Sequence, residues 1–213
     1  MSIRWLDEPA QGALAKAVAA VEGTSAVELV VAVRRSARRW PHVPFAVGAV
    51  TAWAALAFMM YSDHAFAIAS FLIDPVLAGV LGGLIATVVP PLVRWLTPAS
   101  IRRRAVITAA RATFVERGLH HTRGRTGVLV YCALTEGMAA IVVDTAVVAA
   151  VPAATLSARE RAIDAAIRQG GIAAADAIAA LAPVLAAALP RAADDLNELP
   201  DAIDHDLERR PRS

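Results

Sequence analysis

The feature that most constrains this chain is a long apolar stretch bounded by arginines. Between Val43 and Val93 the only charged or histidine side chains are Asp63, His64 and Asp74. One helical crossing of a bilayer takes about 20 mostly apolar residues, so the stretch has room for two crossings and a short connection. The sequence therefore predicts a transmembrane helical hairpin.

The first helix of this hairpin is predicted to span residues 43–61. The second could begin near Phe66, but Asp74-Pro75 is a typical helix start because proline fits the first turn. We therefore expect the second helix to span residues 75–96. The segment 61–74 then lies outside the hydrocarbon and holds both aspartates and the histidine.

Arginines flank the stretch on both sides and are absent from the connection. They are Arg34, Arg35, Arg38 and Arg39 before it, and Arg94, Arg102, Arg103 and Arg104 at its end and after it. Positive charge marks the cytoplasmic side of membrane helices. Residues 1–39 are charged throughout and contain no apolar core of a signal peptide. We expect both chain ends in the cytoplasm.

Composition supports a membrane protein and weakens a nucleic-acid interpretation. The chain of 213 residues is 57% hydrophobic and has a mean hydropathy of +0.53. Its pI is about 9.2, but the net charge is only +2 and the arginines stand where an anchor needs them. We therefore expect no nucleic-acid partner. The lone Cys132 excludes an internal disulfide and is predicted to be a core residue.

Roughly 160 residues remain outside the hairpin, enough for one compact domain. Apolar spacing predicts a helix over Glu8–Glu22, and the apolar run Val27–Val33 predicts a strand that is buried on both faces. A helix over Ile101–Gly118 follows the membrane segment. Two strand-like runs, which begin at Gly127 and Met138, then form a β-hairpin around Thr135-Glu136-Gly137.

The strand before the membrane segment has no partner nearby in the sequence. It should pair with the β-hairpin after residue 126, so that one domain is assembled across the insertion. We therefore predict an α/β fold, a small mixed sheet packed by helices and interrupted by a two-helix transmembrane hairpin. The predicted parts are 1–40 and 97–200 for the domain, 43–96 for the hairpin and 201–213 for a flexible tail.

Two further helices are predicted near the C-terminus. Ser157-Ala158-Arg159-Glu160 has the pattern of a capping box, and Gly170-Gly171 is a natural end for the helix that it opens. Ile172–Leu189 is predicted as a second helix, kinked at Pro183. It is apolar enough to suggest a third membrane span. Asp176, Pro183 and the weak hydrophobicity of alanine instead favour a packed soluble helix.

The run Arg117–Tyr131, R-G-L-H-H-T-R-G-R-T-G-V-L-V-Y, resembles bacterial membrane proteins that carry a TPM domain. The similarity continues through Thr135-Glu136, Ile141–Asp144, Val151-Pro152, Ala177-Ile178, Leu181-Ala182 and Asp195–Asp201, and residues 21–31 take the place of the family's first helix and strand. The resemblance implies an α/β sandwich. Many relatives begin with a signal peptide and end with a membrane helix, whereas here the hairpin interrupts the domain. The location is therefore inferred from the arginines.

The segment 118–127 is basic and glycine-rich but lacks the Lys-Ser/Thr ending of a P-loop. We interpret it as a basic loop near lipid phosphates, in which Arg123 and Arg125 could contact an anionic headgroup or a ligand phosphate. On an extended backbone, His120 and His121 would point to opposite faces, so we expect them to be solvated rather than to share a metal.

Glycines in the second predicted span indicate close helix packing. Gly79 and Gly83 have the four-residue spacing that lets helix backbones approach each other. Packing within the hairpin and packing in an oligomer both fit this spacing.

Carboxylates are the groups on which any chemistry would depend. The resemblance implies that strand-end carboxylates bind a divalent ion such as calcium in some relatives, and that a phosphatase activity has been attributed to the fold. The candidates are Asp144, Glu136, Asp194 and Asp195. A calcium site needs six to eight converging oxygens, and Asp144 is first interpreted as a strand-end cap. The sequence has neither a nucleophile elbow nor a Cys/His zinc spacing.

The sequence thus favours a non-enzymatic interaction or assembly module, anchored at the cytoplasmic face of the inner membrane and binding other membrane proteins. The alternative is a divalent-metal-dependent phosphatase that acts near the membrane. A small-molecule sensor with a cleft at the strand ends is a third hypothesis.

Overall fold

A computed structural model describes residues 5–191 and 203–207, which form two compact units. The α/β unit comprises the described residues up to Arg38 and from Arg103 onward. The hairpin unit comprises Arg39–Arg102. The first unit is therefore built from segments on both sides of the second.

The α/β unit contains a four-stranded mixed sheet with the strand order β3-β2-β1-β4. β1 (Glu28–Arg34) and β2 (Gly127–Ala133) are parallel and paired over all 7 residues of each strand. β3 (Met138–Val143) is antiparallel to β2, and β4 (Asp204–His205) is parallel to β1. The strand that precedes the hairpin unit thus lies between two strands that follow it.

Helices cover both faces of this sheet. One face packs against α1 (Glu8–Glu22), α6 (Thr145–Ala150), α7 (Ala153–Ile167), α8 (Gly171–Ala179) and α9 (Ala182–Ala188). The other packs against α5 (Ala99–Glu116) and a 3₁₀ turn (Leu119–His121). Val31 and Val33 point into the larger core on the α1 side, and Ala32 points into the smaller core on the α5 side. β1 is therefore buried on both faces, as a continuous apolar strand requires.

The first helix has the bounds that the sequence predicts. The Asp7 side chain caps α1 by accepting a hydrogen bond from the Ala10 N–H at 3.1 Å. Leu14, Val18 and Val21 are buried in the core, and Gly23 follows the last helical residue. The spacing of apolar residues alone was sufficient here, because the helix buries a single face.

The hairpin unit consists of α2 (His42–Tyr61), α3 (Ile68–Thr87) and the short α4 (Pro90–Leu96), followed by the first turn of α5. The predicted bounds of the second long helix, 75–96, are wrong. α3 begins at Ile68, so that Asp74 and Pro75 lie within it and the connection shortens to 62–67. A proline inside an apolar helix removes one backbone hydrogen bond without ending the helix. Pro90-Pro91 ends α3 instead, because a residue before proline disfavours helical backbone angles.

The C-terminal helices also differ from the prediction. α7 begins at Ala153 rather than at the Ser157 capping box, because Pro152 supplies a start with a preset φ angle. The predicted helix 172–189 is divided into α8 and α9 before Pro183, which lies in the first turn of α9. Residues 171–188 are long and apolar enough to cross a membrane, yet Ala174, Ile178 and Leu185 are fully buried in the larger core.

Part of the predicted flexible tail belongs to the sheet. Residues 203–207 include β4, and Leu207 is buried in the larger core. The prediction of a tail is therefore wrong for these residues, because the free edge of β1 offers backbone groups that a further strand can satisfy. The remainder of 201–213 lies outside the described residues.

We expect Val31→Asp to destabilise the whole α/β unit. The substitution places a carboxylate in the larger core, at a cost of several kcal/mol unless the group becomes neutral. Limited proteolysis in detergent should then cleave the chain after residue 100 more rapidly. Val148→Asp is the matched control, because Val148 is 63% exposed. An unchanged digestion pattern in Val31→Asp would show that the segments before and after the hairpin fold independently.

Candidate functional site

Three parallel strands, β1, β2 and β4, end at one edge of the sheet, which is where open α/β sheets place their ligands. Beside β4, the last strand of the sheet, two arginines surround one aspartate. Arg34 and Arg117 both contact the Asp204 Oδ2 atom, the Arg117 Nη2 atom at 2.5 Å. The Arg34 Nη1 atom also donates to the Asp204 carbonyl oxygen at 2.9 Å.

These contacts set the charge state of Asp204. Burial raises the pKa of a carboxyl group, but the hydrogen bonds and positive charges of Arg34 and Arg117 outweigh burial and lower the pKa of Asp204. The aspartate is therefore ionised at neutral pH, and its negative charge fastens β4 to β1 and to the end of α5. Sequence reasoning missed this cluster, because the three residues are far apart in the chain and no local pattern connects them.

Glu136, a candidate ligand from the sequence, has a structural role at the end of the sheet where β1 and β2 finish. Its side chain is fully buried, and its Oε1 atom accepts hydrogen bonds from the Ser36 hydroxyl at 2.7 Å and the Ala37 N–H at 3.1 Å. The Leu134 and Thr135 N–H groups donate to the carbonyl oxygens of Arg34 and Arg35 at 3.0 and 2.9 Å. Glu136 therefore fixes the chain at the point where it leaves β1 toward the hairpin unit.

Asp144 is the N-cap of α6. Its Oδ1 atom accepts a hydrogen bond from the Thr145 N–H at 2.7 Å, and its Oδ2 atom lies 3.8 Å from the Arg125 Nη1 atom. Asp144 and Glu136 lie at opposite ends of β3, whose six residues span about 20 Å. The two carboxylates therefore cannot bind one ion together.

The remaining metal candidates do not form a recognisable site. Among residues 5–191 and 203–207, no three His, Cys, Asp or Glu side chains are arranged so that they could hold a metal ion. Asp194 and Asp195 lie outside the described residues.

The free edge of β3 is covered by a helix with two carboxylates. Glu160 and Asp164, one turn apart on α7, accept hydrogen bonds from the N–H groups of Ile141 and Ala139 at 3.0 and 2.5 Å. Arg103 contacts both carboxylates and donates to the Ala139 carbonyl oxygen. These side chains take the place of a neighbouring strand and protect the edge from further pairing. Glu160 therefore does not form the capping box predicted for it.

The basic loop 118–126 precedes β2, at the end of the sheet opposite to the one where β1 leads to the hairpin unit. His120 and His121 lie in a 3₁₀ turn, with ring centroids 3.9 Å apart. The expectation that they point to opposite faces of an extended backbone is therefore wrong, because the backbone here is a turn and the two rings lie next to each other. Arg125 has a left-handed φ of 53°, and its carbonyl oxygen accepts from the Ala146 N–H at 3.2 Å. Contact between this loop and lipid phosphates stays a prediction.

The hairpin unit presents a large apolar surface. Phe45, Trp53, Leu72 and Ile68 are 75–91% exposed, and α2 and α3 are each long and apolar enough to cross a membrane. A soluble domain rarely leaves so many large apolar side chains uncovered on adjoining helices. At the tip of the hairpin the ring of Phe66 packs edge-on against those of Phe58, His64 and Phe71.

Glycines allow α2 and α3 to pack closely. Gly48 and Gly79 face each other so tightly that a Cβ on either would lie within about 3 Å of the other's carbonyl oxygen, at 2.8 and 3.0 Å. Gly83 approaches the Pro44 carbonyl oxygen, and the Thr51 hydroxyl is within 3.2 Å of the Ala78 carbonyl oxygen. Gly79 and Gly83 thus pack within the hairpin. An oligomer built on the same two glycines would have to separate the helices first.

Cys132 lies in the larger core with no exposed surface. Burial raises the pKa of its thiol to about 12, with a smaller contribution from the negative charge of Asp164. Because the thiolate is the reactive form, Cys132 is structural rather than nucleophilic.

Comparisons with known proteins bear on the fold. No protein-family profile and no curated protein matches the chain. A solved structure that resembles it is the NMR structure of the BA42 protein from the psychrophilic bacterium Bizionia argentinensis, with a TM-score of 0.57 and 17% sequence identity. The likeness covers 95% of this chain and 96% of that one. At this identity it concerns the fold alone.

We expect Asp204→Asn to lower the free energy of unfolding at neutral pH, because it removes the charge that both arginines contact. The folded-state pKa of Asp204 is lowered, so its stabilising contribution is present above the unfolded-state pKa of about 3.9 and is lost as the pH falls through the folded-state value. The difference in unfolding free energy between wild type and Asp204→Asn should therefore narrow below about pH 4, as measured by unfolding of the detergent-solubilised protein. Asp176→Asn, on the exposed face of α8, should have little effect. A pH-independent difference for Asp204→Asn would contradict the role of this charge.

Proposed function

We propose that this protein is a membrane-anchored, TPM-like interaction module. In this proposal α2 and α3 cross a bacterial inner membrane as a hairpin, and the α/β unit stays at the cytoplasmic face, where it helps to bind or assemble other membrane proteins. The observation that carries the proposal is the exposed apolar surface of two adjoining helices of 20 residues each. Each helix is about 30 Å long, which matches the hydrocarbon thickness of a bilayer.

Strand pairing supports an even number of crossings. β1 precedes the hairpin, whereas β2 and β4 follow it, and all three lie in one sheet. The chain must therefore return to the side of the membrane from which it left. A third crossing by residues 171–188 would separate β4 from β1 and remove Ile178 and Leu185 from the core.

The arginine pattern supports a cytoplasmic α/β unit, but not every arginine serves the anchor alone. Arg34 binds Asp204, and Arg103 binds Glu160 and Asp164, so both are needed by the fold. All eight flanking arginines nevertheless stand outside α2, α3 and their connection. A loop without Lys or Arg is translocated across the membrane most readily, so the connection is expected on the side opposite to the cytoplasm.

The charged groups of the α/β unit favour a binding role over catalysis. Glu136 and Asp144 hold a loop and a helix start, and Asp204, Glu160 and Asp164 are engaged by arginines. Phosphoryl transfer needs an activated nucleophile or a site that orients phosphate and water. These carboxylates instead stabilise the fold, which leaves the surfaces of the two units as the means of recognition.

The topology is tested by cysteine labelling in intact cells. Asp63→Cys, in the connection between α2 and α3, should react with a membrane-impermeant maleimide without permeabilisation. Gln169→Cys, exposed after α7, should react only after the membrane is opened. The wild-type chain is the control, since Cys132 is buried and its raised pKa keeps it unreactive. Labelling of both positions on the same side would refute the membrane hairpin.

The phosphatase alternative makes a different prediction. We expect purified full-length protein with magnesium, calcium or manganese to hydrolyse an aryl phosphate no faster than the Asp144→Asn variant. Asparagine is also a good N-cap, so this variant should remain folded, whereas Asp144→Ala should lose about 1 kcal/mol of stability. A metal-dependent rate that Asp144→Asn abolishes would overturn the binding-module proposal and make Asp144 a catalytic ligand.

A further inference from the structure

The packing of α2 on α3 fixes how deep each residue lies along the hairpin. Thr51 lies opposite Ala78 and Gly82, and Gly48 lies opposite Gly79 and Gly83. In this register Tyr61 is level with Ile68, and His42 is level with Thr87. The ends of the two antiparallel helices are therefore level with each other, and the length of the hairpin matches the hydrocarbon thickness of one bilayer.

Asp74 lies well inside this apolar length. It is six residues after Ile68, the first residue of α3, so it stands about 9 Å from the tip end of the hairpin at 1.5 Å per residue. Its side chain is exposed rather than turned toward α2. Leu77, Leu81 and Ile85 follow it at helical spacing and are also exposed. The carboxylate therefore lies at the N-terminal end of an apolar stripe on the outer surface of α3.

No group of its own chain neutralises this carboxylate within the described residues. Asp74 takes part in no hydrogen bond or ion pair there, and α2 contains no Lys or Arg, with its one histidine, His42, at the opposite end of the hairpin. An ionisable residue at membrane depth is costly and is usually paired. A second copy of the chain would bring another Asp74 to the same depth, with the same charge. A cation that pairs with Asp74 at this depth would therefore have to come from a different protein.

We propose that the outer face of α3, headed by Asp74 and continued by Leu77, Leu81 and Ile85, docks a transmembrane helix of another protein that carries a lysine or arginine at the depth of Asp74. The inference rests on the proposed membrane-anchored function and gives the class of partner. The apolar stripe supplies packing along the helix, and the ion pair between Asp74 and the partner's cation selects the partner and its depth.

Model helices test this pairing with the full-length protein. The protein, labelled through Ser62→Cys, is reconstituted in phosphatidylcholine–phosphatidylglycerol vesicles with a fluorescent leucine–alanine transmembrane peptide. One peptide carries a single lysine at the depth of Asp74, and the other carries leucine there. Energy transfer should show at least about 10-fold tighter binding of the lysine peptide, and Asp74→Asn should abolish that preference. Asp63→Asn, which alters a carboxylate in the connection, should retain it.

Charge reversal provides the second variant. Asp74→Lys should bind a glutamate peptide in preference to the lysine peptide, which a purely structural role for Asp74 would not produce. Equal binding of the lysine and leucine peptides, or a lysine preference that survives Asp74→Asn, would overturn the inference. Asp74-dependent energy transfer between two labelled copies would also overturn it, because the occupant would then be a second copy.

Carbonate extraction of the same vesicles separates this inference from the function on which it rests. Protein that resists extraction but shows no lysine preference would refute the docking face and leave the anchor intact. Protein that is extracted would refute the membrane hairpin, and the docking face with it.

Discussion

The pairing of β1 with β2 is the interaction on which the rest of this structure depends. It joins residues on either side of an insertion of some 60 residues, Arg39–Arg102, along a continuous parallel register from Glu28 opposite Gly127 to Arg34 opposite Ala133. Both cores include β1 side chains, so neither face of the sheet is complete without the first segment of the chain. The hairpin unit is accordingly an insertion into a domain, and not a separate module that precedes or follows it.

Both junctions with the hairpin unit are fixed by hydrogen bonds inside the α/β unit. On the outgoing side, the buried Glu136 holds Ser36 and Ala37. On the returning side, Arg103 is held by Asp164 and by the Ala139 carbonyl oxygen. Hydrogen bonds to charged groups contribute about 1.5–3 kcal/mol each, so the ends of the insertion are well anchored. The same residues that suggested chemistry or membrane anchoring in the sequence therefore stabilise the α/β unit.

Local sequence patterns predict the helices and strands, but they do not predict side-chain contacts between residues that are far apart in the chain. Apolar spacing predicts α1, and the length of the apolar run predicts α2. Because no strand lies near β1 in the sequence, its pairing with a strand beyond the insertion is also predictable. The sequence misplaces the start of α3 because Asp74-Pro75 has the local chemistry of a helix start. In the structure the apolar run is continuous, and the proline lies inside the helix. The contacts of Asp204 with Arg34 and Arg117, and of Asp164 with Arg103, left no sequence signal, because they join distant residues and depend on the folded sheet.

The most direct measurement of the central claim is hydrogen exchange in a chain whose residues 39–98 are replaced by a short glycine–serine linker, which leaves α5 whole. If the hairpin unit is an insertion into a self-sufficient domain, this chain should remain folded and soluble. The amides of Val31 and Ala32 should then exchange as slowly as those of Val130 and Tyr131, with which they are paired. Rapid exchange at Val31 and Ala32, alongside protection in the rest of the sheet, would show that β1 is not part of the fold formed by the later segments, and would contradict the account.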